Sequence, residues 1–69
     1  MDAKALDNIF THHPPTESQV EKYIRIRSII KTAAHTINDL CPDSREKSLA
    51  ITKLQEASMM ANAAIAINE

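Results

Sequence analysis

Between residues 16 and 40 the apolar positions recur every three or four residues, as one face of a helix requires. One row is Ile26, Ile30, Ala33, Ile37 and Leu40. A second is Val20, Tyr23, Arg27, Ile30, Ala34 and Ile37. Residues 44–67 repeat the period. Leu49, Met60, Ala63 and Ile67 share one side, and Ala50, Leu54, Ala57, Ala61 and Ile65, with neighbouring Ala64, share another. A shorter stretch, 2–10, sets Ala5, Leu6, Ile9 and Phe10 on one side. Apolar and polar residues do not alternate over a strand's length anywhere. The spacing predicts three helices and no sheet.

The ends of these segments carry their own signals. Asp2 is a candidate N-cap for the first, because a short side-chain oxygen satisfies a free N–H of the first turn. Thr11-His12-His13-Pro14-Pro15 follows, and two prolines forbid a continuing helix. Thr16 with Gln19 three residues on forms the pattern of a capping box. Glu17 places negative charge in the first turn, where the helix dipole favours it. The second helix is expected over 16–40, roughly 36 Å long, and ends at Cys41-Pro42. Asp43 or Ser44 caps the third, expected over 44–67. Two long helices of similar length on a tight connection make an antiparallel hairpin.

Composition sharpens this picture. The chain has 69 residues, no Gly and only two aromatics, Phe10 and Tyr23. Tight β-hairpin turns favour glycine, so its absence reinforces an all-α reading. A chain this short supports one domain, spanning 1–69, with a thin core. No internal disulfide can reinforce it, because Cys41 is the single cysteine. The two long helices also carry more apolar rows than a hairpin can bury. The surplus is most simply covered by further copies of the chain. The expected architecture is therefore an all-α antiparallel helical hairpin with a short N-terminal helix, assembling into a homo-oligomer.

Charge excludes some partners. Eight basic and nine acidic residues give a formal net charge of -1, and general DNA binders are basic. No apolar run is long enough for a membrane helix. The N-terminus has neither the basic start nor the apolar stretch of a signal peptide. The reading is a cytosolic protein with a reduced thiol and no DNA or membrane partner.

Three places could carry chemistry. Arg27 interrupts an apolar row, and a guanidinium there needs an anion. The plain alternatives are a salt bridge to Glu46, Glu56 or another subunit, or snorkelling to water. The sharper one is a phosphate site, strengthened by Arg25 and Lys31 on neighbouring turns. His12 and His13 sit in a rigid, extended loop. They are incidental surface residues, a ligand-facing pair, or metal ligands with His35 or Cys41, although the spacing fits no standard zinc pattern. Tyr23 is either core or a ring that stacks on an aromatic ligand. There is no Gly-rich phosphate loop and no nucleophile–base or paired-acid constellation. The residues alone predict no enzyme, no cofactor and no resident metal. They leave open a helical protein–protein interaction module or a holder of an anionic ligand.

The string FTHHPPTESQVEKYIRIR, followed by CPDSREKSLAITKLQEASMMANAAIA, resembles a family. It is similar to the helical-hairpin domain shared by phage anti-CBASS and anti-Thoeris cyclic-nucleotide sponges. The resemblance is carried by Phe10, His13-Pro14, Thr16, Tyr23, Ile26-Arg27, Ile37, Cys41-Pro42, Ser44, Ala50, Leu54, Met59, Ala61-Asn62 and Ala64-Ile65-Ala66. It implies a homo-oligomer, commonly a hexamer, that sequesters cyclic di- or trinucleotide immune messengers without cleaving them. Its expected place of action is the cytoplasm of the infected bacterial host. The resemblance implies that His12, or else Phe10, stacks on a base, that Arg27 pairs with phosphate, and that His13 and Pro14 shape the pocket wall. Tyr23 and Lys31 complete the expected ligand-binding set. Some members hold trinucleotides in a second pocket on a three-fold axis. This chain departs from the family where Tyr often stands at His12, Trp at Met60 and Arg at Gln55, which alters stacking and packing.

Overall fold

In a computed structural model covering residues 1–69, the prolines divide the chain into three helices: α1 (Ala3–Phe10), α2 (Glu17–Leu40) and α3 (Arg45–Asn68). There is no strand. Each helix start is closed by a side chain. Asp2 Oδ1 accepts from the Ala5 N–H at 2.8 Å. Thr16 Oγ1 accepts from the Gln19 N–H at 3.3 Å, and Gln19 Oε1 accepts from the Thr16 N–H at 3.0 Å. This reciprocal box satisfies two N–H groups that would otherwise go unpaired, each such cap worth about 1 kcal/mol. At α3 the cap is Ser44, which accepts from the Lys47 N–H at 3.1 Å. Asp43 does not cap; its carboxylate pairs with Lys47 Nζ at 3.0 Å.

The hairpin turn needs only residues 41–44. Cys41 leaves α2 in an extended conformation while its N–H still donates to the Ile37 carbonyl at 3.0 Å. No residue of the chain has positive φ. A turn with no left-handed residue requires no glycine, so the composition and the connection agree.

The facing sides of α2 and α3 are half-buried at regular intervals. On α2 these are Gln19, Tyr23, Ile26, Ile30, Ala33 and Ile37, with Ala34 beside them. On α3 they are Lys47, Ile51, Leu54, Ser58, Ala61 and Ile65, flanked by Ala50. Both sets step by four and three in turn, the spacing of a coiled-coil seam. The seam takes part of each predicted row and leaves the rest outside. Val20 is 39% exposed and Leu40 79%. Leu49 and Met60 also face outward, as do Ala57 and Ala64. Leu40 lies outside because it occupies the last position of α2, where the chain turns away.

A single chain has no interior. None of the 69 residues is fully buried. The molecule measures 46 × 29 × 12 Å, and its radius of gyration is 15.3 Å. A compact chain of this length has a radius near about 11 Å. The exposed surface is 5633 Å², against about 4,300 Å² for a compact protein of this mass. Helix α1 adds little packing and is tethered by hydrogen bonds instead. Asn8 Nδ2 donates to the Ile67 carbonyl at 3.2 Å, joining α1 to the last turn of α3. His13 Nε2–H donates to the Asn8 carbonyl at 2.7 Å, which places the proton on Nε2 because a carbonyl can only accept.

Candidate functional site

Tyr23 and Arg27 lie four residues apart on α2, so they share a face one turn from each other. Asn62, Ala63 and Ala66 lie on the facing end of α3. Together these five residues line a shallow, open recess of about 320 Å³. That volume is at the lower end of small-molecule sites. The alanines create it, since a larger side chain at Ala63 or Ala66 would fill the space. The walls are a flat ring, a guanidinium, an amide and methyl groups.

Arg27 is exposed, which corrects the expectation of a buried guanidinium. Tyr23, Ile30 and Ile37 of its row enter the seam, while Val20 and Arg27 stay outside it. The salt bridges expected to Glu46 or Glu56 do not form. The three ion pairs of the chain are Lys22–Glu69 at 2.7 Å, Lys47–Asp43 at 3.0 Å and Lys53–Glu56 at 3.4 Å. Glu56 is thus taken by Lys53, and Arg27 has its charge free. Lys31 and His35 continue its row at i+4 and i+8, both exposed. This face of α2 is consequently basic over three turns. Arg25, two residues from Arg27, points to a different side of the helix.

Asn62 Oδ1 is buried and has no hydrogen-bond partner. A covered acceptor without a donor costs roughly 1–3 kcal/mol. Asn62 is also the only polar residue between Ala61 and Ile67. That isolation in an apolar run was the available signal for it, and the candidate set omitted it.

Of the seven candidate ligand-binding residues, the structure brings Tyr23 and Arg27 into the recess. Lys31 lies one turn beyond on the same face. The others lie before α2, Phe10 at the end of α1 and His12, His13 and Pro14 in the loop that follows. Phe10 is 81% exposed at the end of α1, and His12 and Pro14 are exposed. His13 is half-buried and turned back toward Asn8. Within one chain, none of these four lines the recess. His12, His13, His35 and Cys41 do not converge as metal ligands; the structure contains no group of three or more His, Cys, Asp or Glu side chains able to hold an ion. No helix is long and apolar enough to cross a membrane.

A ring that offers a flat face beside an unpaired guanidinium suits an aromatic anion. The ring takes the planar part and the fork takes phosphate oxygens in pairs. Neither a curated protein nor a solved structure matches the chain. The family described as Acb2/Tad1, hairpin domain, matches residues 1–66. Since that match covers nearly the whole sequence, the chain belongs to the Acb2/Tad1 hairpin-domain family, to which an anti-defence sponge role attaches.

Proposed function

We propose that this protein is a phage-encoded sponge that binds cyclic di- and trinucleotide immune messengers and holds them uncleaved, acting in the cytoplasm of the infected bacterium. The observation that carries the reading is the unpaired Arg27 beside Tyr23 in an open recess. A cyclic dinucleotide presents two phosphates and two flat bases. A pair of symmetry-related chains offers Arg27 and Tyr23 twice, matching one two-fold ligand to one two-fold interface. Assembly also brings loops from neighbouring chains close, so that His12, Phe10 or Pro14 of one copy closes the site of another.

Surface area supports an assembly. The chain exposes about 1,300 Å² beyond what a compact protein of its mass shows, more than the roughly 800 Å² per partner of a standard interface. Ile24 at 56%, Ile29 at 60% and Met60 at 68% exposure are apolar side chains that such an interface covers. A hexamer is the proposed form. Enclosure between subunits slows ligand release, and slow release is what sequestration requires.

The test is recovery. Purified protein mixed with a cyclic dinucleotide removes it from solution, and heating the complex returns it chemically intact. Cleaved nucleotide after heating assigns an enzyme. No depletion of any cyclic di- or trinucleotide leaves the protein-interaction module as the better reading.

A further inference from the structure

Asn62 Oδ1 is the one buried side-chain nitrogen or oxygen in the chain without a partner, and the residue that carries it lines the Tyr23–Arg27 recess. Nothing in the packing of the hairpin calls for an amide there. Its neighbours from Ala61 to Ile67 are alanine and isoleucine, and an apolar side chain of the same size would leave no acceptor stranded. A polar group that the fold does not use, set in the wall of an open recess, is explained by what enters the recess.

We propose that the Asn62 amide is a specificity-determining group that reads the edge of a nucleobase whose phosphate Arg27 holds; this rests on the sponge reading above. An amide offers a donor and an acceptor side by side. Adenine presents the complement, with its N6 amino group donating to Oδ1 and its N7 accepting from Nδ2. The same edge of guanine carries two acceptors, N7 and O6, and can use only the amide nitrogen. The terminal torsion of asparagine is soft, so the amide turns its oxygen from the covered side to the recess when a donor arrives. Asn62 thereby favours adenine, while Arg27 accepts any cyclic nucleotide.

The experiment is calorimetry of the full-length protein with an adenine-containing cyclic dinucleotide and its 7-deaza counterpart, which replaces the N7 acceptor by C–H. The unaltered protein binds the deaza ring about tenfold more weakly. Asn62→Leu binds both rings equally, and its unfolding midpoint without nucleotide is no lower than that of the parent, because an unpartnered acceptor has been removed. Equal binding of the two rings by the unaltered protein overturns the assignment while leaving the sponge reading intact. Discrimination that survives in Asn62→Leu does the same. Failure to bind either ring, or any guanine or uracil ring in parallel, overturns the sponge reading itself. A smaller particle mass for Asn62→Leu by light scattering assigns the amide to a contact between copies and also overturns the proposal.

Discussion

At the scale of single residues, the decisive one is Arg27. It stands exposed and outside every ion pair of the chain, so removing it leaves the fold intact. Arg27→Ala is therefore expected to unfold at the parent's midpoint and to lose cyclic-nucleotide affinity by roughly ten- to a hundredfold for each phosphate contact, the worth of a hydrogen bond to a charged group. Arg27→Lys keeps the charge but not the two-pronged geometry, and falls between. Calorimetry beside thermal circular dichroism separates the two effects. An Arg27→Ala protein that binds as before would remove this residue from the site. The sequence made Arg27 conspicuous because a charge interrupts an apolar row. It did not reveal that the row leaves the seam at Arg27. Rows four residues apart drift around a helix, and only the partner helix decides which part of the drift is covered. Asn62 escaped for the same reason: it lies 35 residues beyond Arg27, and only the antiparallel return of α3 places the two in one wall.

At the scale of elements, the chain announces its helix ends more clearly than its helix faces. Pro42 holds Cys41 extended and ends α2 at Leu40, and Pro14, four residues beyond the end of α1, keeps that helix from continuing. The Thr16–Gln19 box acts within one turn. Both are local, so both are readable along the sequence. Faces are not local. The seam admits the polar Gln19 and Lys47, which bury their stems, and leaves out Leu40. Helix α1 is a different case, because it is joined to the hairpin through one asparagine rather than through a packed face. Asn8→Ala removes the donor to the Ile67 carbonyl while leaving the helix itself unaltered. We expect amide hydrogen exchange to rise across Ala3–Phe10 in that variant, with α2 and α3 protected as before. Uniform protection in α1 would mean that another contact, such as a second copy, holds it in place.

At the scale of the whole molecule, the dominant fact is that a single chain buries no residue completely. A 69-residue hairpin with that property has little stability to spare on its own. If copies associate, association and folding are linked, and the unfolding midpoint rises with protein concentration. Light scattering is expected to give a mass several times 7.7 kDa, and dilution is expected to lower both the mass and the midpoint. A 7.7-kDa particle with a concentration-independent midpoint would show the hairpin standing alone. The backbone spans only 12 Å in its thinnest direction, too little for a second layer of helices packed about 8–10 Å away on the first. A sheet of matter one rod deep has a front and a back but no middle. In most proteins, intolerance to substitution chiefly marks the hidden centre and says little about what the molecule meets. Here the narrow seam, the helix caps, the prolines and the Asn8 tether account for a limited set of positions, and any other position that resists change points to a neighbour or a captured molecule. Saturation mutagenesis of this chain would thus trace its contacts almost directly.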